Sequence, residues 1–327
     1  MTQLSHQIIV APKELARIGL TALPATIVAA GPDAARAFLE FFTANIRNKN
    51  TRMAYARACG RFLDWCDELR IPLIDIEPIV LAGYVEQLTK ELSPATVKQH
   101  LAGIRMMFDW LTSRQILAAN PATSVRGPKH SVLEGATPAF DVKQARKLLE
   151  SIDVGTILGL RDRAMIATLI YTGARIGAVC NLKVKHFMPD GGSWCLQFGE
   201  KGGKQRKIPC RHNLEEFLHE YLAAAGIALD KETPLFRTFS RDKRTNDRGM
   251  SRVEAHKMLK RRLKKIGLPV NLSSHSFRVT TGTDLLKQGI SLEDVQYLLG
   301  HADPRTTRLY DRRKKEVTRN IVERISV

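Results

Sequence analysis

The stretch NPATSVRGPKHSVLEGATPAF, residues 120–140, divides this chain. Pro121, Pro128 and Pro138, with Gly127 and Gly135, interrupt any regular element there, because proline lacks an amide donor and glycine favours neither helix nor strand. Hydrophobic periodicity runs on both sides of the break, so the 327 residues are expected to build two cores. The expected boundaries are an N-terminal extension at 1–30, a helical domain at 31–126, a linker at 127–140 and a second domain at 141–327.

Before the break the pattern is helical. Tyr55, Cys59, Phe62, Cys66 and Leu69 recur at i, i+4, i+7, i+11 and i+14, while Arg57 and Arg61 fall on another face. Val97, Leu101, Ile104, Phe108 and Leu111 repeat the pattern, with Ser93 and Pro94 as cap and first-turn pair. Helices at 33–46, 51–69, 77–91 and 94–118 joined by short links predict a four-helix bundle. After the break, helical patterns at 141–151 and 159–171 lead into SWCLQFGEKGGKQRKIPC. There Trp194, Leu196 and Phe198 alternate, Gly202-Gly203 suits a tight turn, and Ile208 resumes an apolar position, which predicts a hairpin with lysines at its tip. Further helices are expected at 213–225, 250–266, 276–288, 291–300 and 315–324. The fold class is therefore mainly α: a helical bundle followed by a mixed α+β domain with a small β-sheet.

Charge narrows the partner. Lys and Arg number 51 against 33 Asp and Glu, a formal charge of +18, which points to a polyanion. An acidic membrane surface fits less well than nucleic acid, because no apolar run approaches the roughly 20 residues of a spanning helix, and no signal-peptide pattern opens the chain. A cytoplasmic protein is expected. Cys59, Cys66, Cys180, Cys195 and Cys210 form no CxxC pair and read as buried thiols of a reducing compartment. No P-loop, HExxH or GxGxxG occurs, so no metal site and no nucleotide cofactor is expected.

Several segments of the second domain exceed what packing asks of a sequence. TGARIGAVCNL sets Arg175 after a Thr-Gly turn at a helix start, and SSHSFRVTTGTDLL sets His275 and Arg278 three residues apart on one helical face. The hairpin carries Lys201, and GHADPRTTRLYDRR places Tyr310 nine residues after His301 among Arg305, Arg308, Arg312 and Arg313. Any one of these is usually a surface charge or a satisfied core group. Together they fit attack on a phosphodiester. Two guanidinium groups, Arg175 and Arg278, can clamp the non-bridging oxygens bidentately without losing their charge. Lys201 can protonate the leaving 5′ oxygen. A phenol with a pKa near 10 is only about one part in a thousand ionised at neutral pH, so Tyr310 must lose its proton as it attacks. His275 can accept that proton, and His301 can bond the phosphate or stabilise the same charge. The product is a 3′-phosphotyrosine whose bond energy allows religation without metal or nucleotide.

These motifs resemble those of the tyrosine recombinases, the phage-integrase or Xer-type site-specific recombinases. The family pattern of TGxR, a GKGxKxRxxP hairpin, HxxR and LGHxxxxxTxxY is met by Thr172 to Arg175, Lys201 to Pro209, His275 to Arg278 and Leu299 to Tyr310. The resemblance covers roughly residues 33–327. It implies a catalytic set of Arg175, Lys201, His275, Arg278, His301 and Tyr310. It also implies a SAM-like helical core-binding domain that closes a C-shaped clamp around double-stranded DNA with the catalytic domain. It further implies a tetramer on two specific core sites, strand exchange through a Holliday junction, room for accessory proteins, and a protomer-docking segment at 314–327. Arg57, Arg61, Lys98 and Arg105 of the first domain, and Lys204 and Arg206 of the hairpin, are the candidate DNA contacts. A bacterial, nucleoid-associated location belongs to the same expectation.

Three positions depart from the pattern. Ala178 stands three after the first arginine, where relatives commonly carry an acidic residue; Gly199-Glu200 sets a negative neighbour beside Lys201; Val279 follows Arg278 where many relatives have histidine. None removes a catalytic group. The 30 residues ahead of the first helical pattern are too short for the separate arm-type DNA-binding domain of some phage integrases, so short core sites are expected. Two other readings compete: a DNA-binding architectural protein that lost the chemistry, against which all six residues argue, and a type IB topoisomerase, which shares the catalytic logic but relaxes supercoils as a monomer.

Overall fold

The computed structural model describes residues 20–129, 135, 137–199, 205–240 and 245–311. The chain divides into two compact units, Met1–Ser131 and Val132–Val327.

In the first unit α1 (Ala25–Ala29) and α2 (Pro32–Glu40) precede a π-helical turn at Phe41–Asn45; α3 (Lys49–Glu68), α4 (Pro78–Glu91) and α5 (Pro94–Ser113) follow. Each start has a local cause. The Asn48 side chain accepts the amide protons of Asn50 and Thr51, the Ser93 hydroxyl accepts that of Thr96, and prolines open α2, α4 and α5, where a missing amide costs nothing. The expected helix over 94–118 stops at Ser113, because Gln115 takes a positive φ of 58° and Ile116 N turns back to bond the Leu111 carbonyl. The helix expected over 33–46 loosens to π geometry from Phe41, where Phe41 and Phe42 are both fully buried.

Phe62 centres this core, with ring centroids 5.0 Å from Tyr84 and 6.0 Å from Phe108. Helices α3 and α5 come close where Gly103 meets Tyr55; a Cβ at Gly103 would lie 3.0 Å from the Tyr55 ring. Helix α1 falls in the segment read as an extension, yet Ile27 has no exposure and Asp67 of α3 caps its start. That carboxylate accepts from Ala25 N at 2.8 Å, Thr26 N at 2.6 Å and the Thr26 hydroxyl. Arg105 Nε donates to the Ala122 carbonyl at 3.1 Å and its Nη2 to that of Val125, which holds the segment after α5 against the bundle.

The second unit runs α6 (Val142–Glu150), α7 (Ile157–Thr172), α8 (Ile176–Cys180), β1 (Phe187–Asp190), β2 (Ser193–Gly199), β3 (Gln205–Pro209), α9 (His212–Ala224), β4 (Arg237–Phe239), β5 (Thr245–Gly249), α10 (Arg252–Lys265), α11 (Ser274–Lys287), α12 (Leu292–Leu299) and α13 (Pro304–Arg308). The expected hairpin is present as antiparallel β2 and β3 in register Leu196 with Ile208 and Phe198 with Arg206. Strand β1 extends it to three strands, and β4 with β5 makes a second sheet. The helix expected at 315–324 and the hairpin tip with Lys201 and Lys204 lie outside the described residues.

Helix α7 is the axis of this unit, buried nearly all round from Ala164 to Leu169, with α9 and α11 packed on it. Its one buried carboxylate, Asp162, is fully enclosed and fully paired. Arg161 Nε and Nη2 bond Oδ1 at 3.1 and 2.6 Å, and Arg262 Nε and Nη2 of α10 bond Oδ2 at 3.0 and 2.7 Å. Such a charge is tolerable only with every lone pair engaged. In the first turns of α11, Phe277 stacks on Phe140 at 4.3 Å, and the Phe140 amide bonds the Thr280 hydroxyl at 2.7 Å. The cysteines are free, Cys180 partly buried and the others buried, and burial raises the Cys66 and Cys210 thiols to about 12.

Replacing Asp67 by Ala removes the acceptor for three donors at the start of α1. The first unit should lose about 1–2 kcal/mol of unfolding free energy, and Asp67→Asn, which keeps one carbonyl acceptor, should lose less; urea denaturation reads both.

Candidate active site

Four chain segments of the second unit converge on one guanidinium group. Helix α7 ends at Gly173, whose φ of 56° lets the chain turn back and sets Arg175 at the start of α8. A side chain there would clash, since a Cβ at Gly173 would lie 2.5 Å from Leu299 Cδ2. Helix α11 carries His275 on its exposed face and Arg278 on its buried one. Helix α12 ends at Gly300, φ 61°, and delivers His301; the five-residue α13 then delivers Tyr310.

Arg278 has only 2% exposure. Its Nη1 donates to the Gly173 carbonyl at 2.7 Å and its Nε to His301 Nε2 at 3.2 Å. Its Nη2 is buried with no hydrogen-bond partner among the described residues. Burial and the nearby Arg175 guanidinium push its pKa down to about 10, with the Tyr310 phenol acting the other way, so it stays cationic at neutral pH. Arg175 is exposed and reaches the Gly300 carbonyl at 3.3 Å.

The two histidines are held neutral. Burial first, then Arg278 and Arg175, push His301 down to about 3 and His275 below its usual 6.5. Since the Arg278 Nε–H can only donate, His301 Nε2 accepts and the ring proton sits on Nδ1, which faces the Thr307 hydroxyl at 2.7 Å. The Tyr310 phenol oxygen lies 3.4 Å from His275 Nε2, a long hydrogen bond, and the Tyr310 ring centroid is 5.4 Å from that of His301.

Tyr310 is 3% exposed and packs in a small core with Val279, Leu286, Val295 and Leu299. Val279, one of the departures in the motif, thus backs the tyrosine. Its backbone is pinned by Thr307 O, which accepts the Tyr310 amide at 2.9 Å, and by the Thr283 hydroxyl, which donates to the Tyr310 carbonyl at 3.1 Å. Gly282 of α11 lies under the ring.

The structure brings Arg175, His275, Arg278, His301 and Tyr310 together; Lys201 lies outside the described residues, as does Lys204. Arg206 is buried on β3, its Nη1 donated to the Leu298 carbonyl and its charge 5.8 Å from the Phe198 ring centroid. Arg206, a candidate DNA contact, here braces the end of α12 just ahead of His301. Arg105 is likewise committed to carbonyls of its own unit. Arg61 pairs with Glu91, while Arg57 and Lys98 are exposed. Sequence reasoning passed over Thr307, Thr283 and Gly282. Only the position of Thr307 inside the LGHxxxxxTxxY pattern could have flagged one of them. Ala178 lines a pocket with Asn181, Leu182, His186, Gln197, Gly199 and Gln205. Among the described residues no group of three or more His, Cys, Asp or Glu could hold a metal ion, and no helix is long and apolar enough to cross a membrane.

Residues 139–316 match the phage integrase family. The chain is a tyrosine recombinase. It is 31% identical over 265 residues to the tyrosine recombinase XerD of Listeria innocua, covering 80% of this chain and 87% of the relative. Against XerC of Thermodesulfovibrio yellowstonii it is 32% identical over 271 residues, 80% and 85% of the two chains. Its fold is that of the XerH recombinase in a post-cleavage complex with palindromic difH substrate, at TM-score 0.68 and 20% identity over 87% of this chain and 84% of the other. A lambda integrase tetramer bound to a Holliday junction matches at TM-score 0.63 and 19% identity, covering 96% and 86%. The recombinase therefore breaks and rejoins DNA strands site-specifically by the tyrosine mechanism.

The close fit under the tyrosine of this recombinase is testable by overpacking. A Cβ on Gly282 would lie 2.7 Å from Tyr310 Cδ2 and 3.1 Å from Leu299 Cδ1, so Gly282→Ala should cost about 1–3 kcal/mol in chemical denaturation. Gly83→Ala, in an exposed turn of α4 with nothing within 4 Å, should instead stabilise by about 0.5–1 kcal/mol.

Proposed function

We propose that Tyr310 is the nucleophile of strand cleavage, with Arg175, Lys201, His275, Arg278 and His301 as the groups that serve it. The observation that carries this reading is the Tyr310 phenol oxygen 3.4 Å from a neutral imidazole, beside a buried guanidinium with a free Nη2. The phenol oxygen attacks the scissile phosphorus while its proton passes to His275 Nε2. The bond from phosphorus to the 5′ oxygen breaks, and that oxygen takes a proton from Lys201. One phosphodiester is exchanged for one phosphotyrosine ester, so rejoining to another 5′-hydroxyl needs no outside energy. Arg278, buried, and Arg175, exposed, meet the charge that grows on the non-bridging oxygens. Because Tyr310 is seated against histidines of its own chain, cleavage runs within one protomer.

The partner is double-stranded DNA carrying short core sites, bound through both units, with Arg57 and Lys98 of the helical unit as phosphate contacts. Four protomers on two sites and a Holliday junction intermediate follow from the same reading; residues 314–327 would dock on a neighbouring protomer. The lambda integrase tetramer on a Holliday junction and XerH on its difH substrate support it by likeness of fold. The setting is bacterial and cytoplasmic.

A nicked suicide DNA bearing a site selected from random sequence tests the nucleophile. The wild type should form an SDS-resistant protein–DNA adduct without metal or ATP, and Tyr310→Phe none; an adduct that survives in Tyr310→Phe overturns the assignment. The pH profile tests the base. His275 serves only when neutral, and its pKa lies below 6.5. Single-turnover cleavage should therefore hold its rate as pH falls to 6.5 and decline only below it, and His275→Ala should lose about 10²–10⁴ in rate together with that acid limb.

A further inference from the structure

Thr307 is fully buried, three residues before Tyr310, and makes two bonds of different kinds. Its carbonyl accepts the Tyr310 amide at 2.9 Å, and its hydroxyl faces His301 Nδ1 at 2.7 Å. Its side chain could have pointed elsewhere without altering the first bond. The second bond continues inward, since the other ring nitrogen of the same imidazole receives Arg278 Nε–H at 3.2 Å, and Arg278 Nη1 closes the chain on the Gly173 carbonyl.

We propose that Thr307 is a positioning residue: its hydroxyl accepts the Nδ1 proton of His301, so the imidazole presents an unprotonated Nε2 that orients the Arg278 guanidinium and leaves Nη2 for the scissile phosphate. The chemistry demands a hydroxyl at 307. With an apolar group of the same shape there, the Nδ1 proton has no acceptor in a buried site, and the ring can relieve this only by turning or by moving its proton to Nε2. Either change sets two donors, Nε2–H and Arg278 Nε–H, against each other or breaks their contact. A side chain only 2% exposed then keeps its bond to the Gly173 carbonyl but loses the one to His301 that sets the direction of Nε. Gln296 and the α12 backbone hold His301 from the other side, through Gln296 Nε2 to the His301 carbonyl at 3.0 Å and the His301 amide to the Gln296 carbonyl at 3.1 Å. Those bonds fix the backbone of His301 and do not select its tautomer.

This inference rests on the proposed roles of Tyr310 and Arg278, and its test has one arm that does not. In the full chain without DNA, labelled with ¹⁵N-histidine and with the His301 signals assigned through His301→Gln, the ring nitrogens should report the Nδ1–H tautomer. Thr307→Ser should keep that pattern and Thr307→Val should lose it. An Nε2–H tautomer in the wild type, or an unchanged Nδ1–H pattern in Thr307→Val, overturns the proposal. In the second arm, single-turnover adduct formation on the suicide DNA should slow about ten- to hundredfold in Thr307→Val and stay within about threefold in Thr307→Ser, with DNA affinity within about twofold in both. Equal rates for wild type and Thr307→Val, or equal losses for Val and Ser, also overturn it. Should Thr307→Val not fold, Thr307→Ala takes its place in both arms with the same expectations. No adduct from the wild type would sink the nucleophile reading and leave the tautomer result standing on its own.

Discussion

Arg278 is a cation removed from water, and the second unit is arranged around the cost of keeping it there. Its hydrogen bonds run to neutral acceptors, the Gly173 carbonyl and the His301 imidazole. Neutral acceptors solvate the charge without cancelling it, so it stays available to an anion. The left-handed Gly173 exists to aim that carbonyl, the left-handed Gly300 exists to turn His301 inward, and Leu299 fills the angle between them. Remove the guanidinium, and these left-handed glycine turns and this buried imidazole have no reason to occur together.

Burial and the same cation together set the protonation of its neighbours. Desolvation first, and then the two guanidinium groups, hold both imidazoles neutral, and only a neutral ring can accept a proton or a hydrogen bond. Position then separates two chemically identical side chains. His275 lies on the exposed face of α11 near the phenol, whereas His301 is buried between Arg278 and Thr307. Tyr310 is held differently again, by packing and backbone bonds, with Val279 behind it and Gly282 beneath it.

Much of the fold was legible. Apolar periodicity, with the Ser93-Pro94 start for α5, located α3, α4, α5, α7 and α11 to within a few residues, because a helix announces itself in the spacing of its own side chains. The misses have physical causes. Strand β1 is four residues long with an edge proline, and β4 and β5 are short and polar, so they lack the alternation by which strands are read. Helix α1 is five residues long and depends on Asp67, forty-one positions from Thr26, for its capping. Among charged side chains, composition could not tell an exposed Arg57 from a buried Arg206, since both are arginines on amphipathic elements and only the packing of β3 against α12 decides between them.

By itself the sequence determined the chemistry: which six residue types are present, at what spacing, in a chain of net charge +18 with a break between two cores. Those are properties of local pattern and of side-chain pKa, and they survive in a linear string. Only the tertiary structure decided which nitrogen of which histidine meets which partner. Thr307, His301, Arg278 and Gly173 span 134 positions of chain, and hydrogen-bond direction among them arises only where α7, α11, α12 and α13 meet in a space that excludes water.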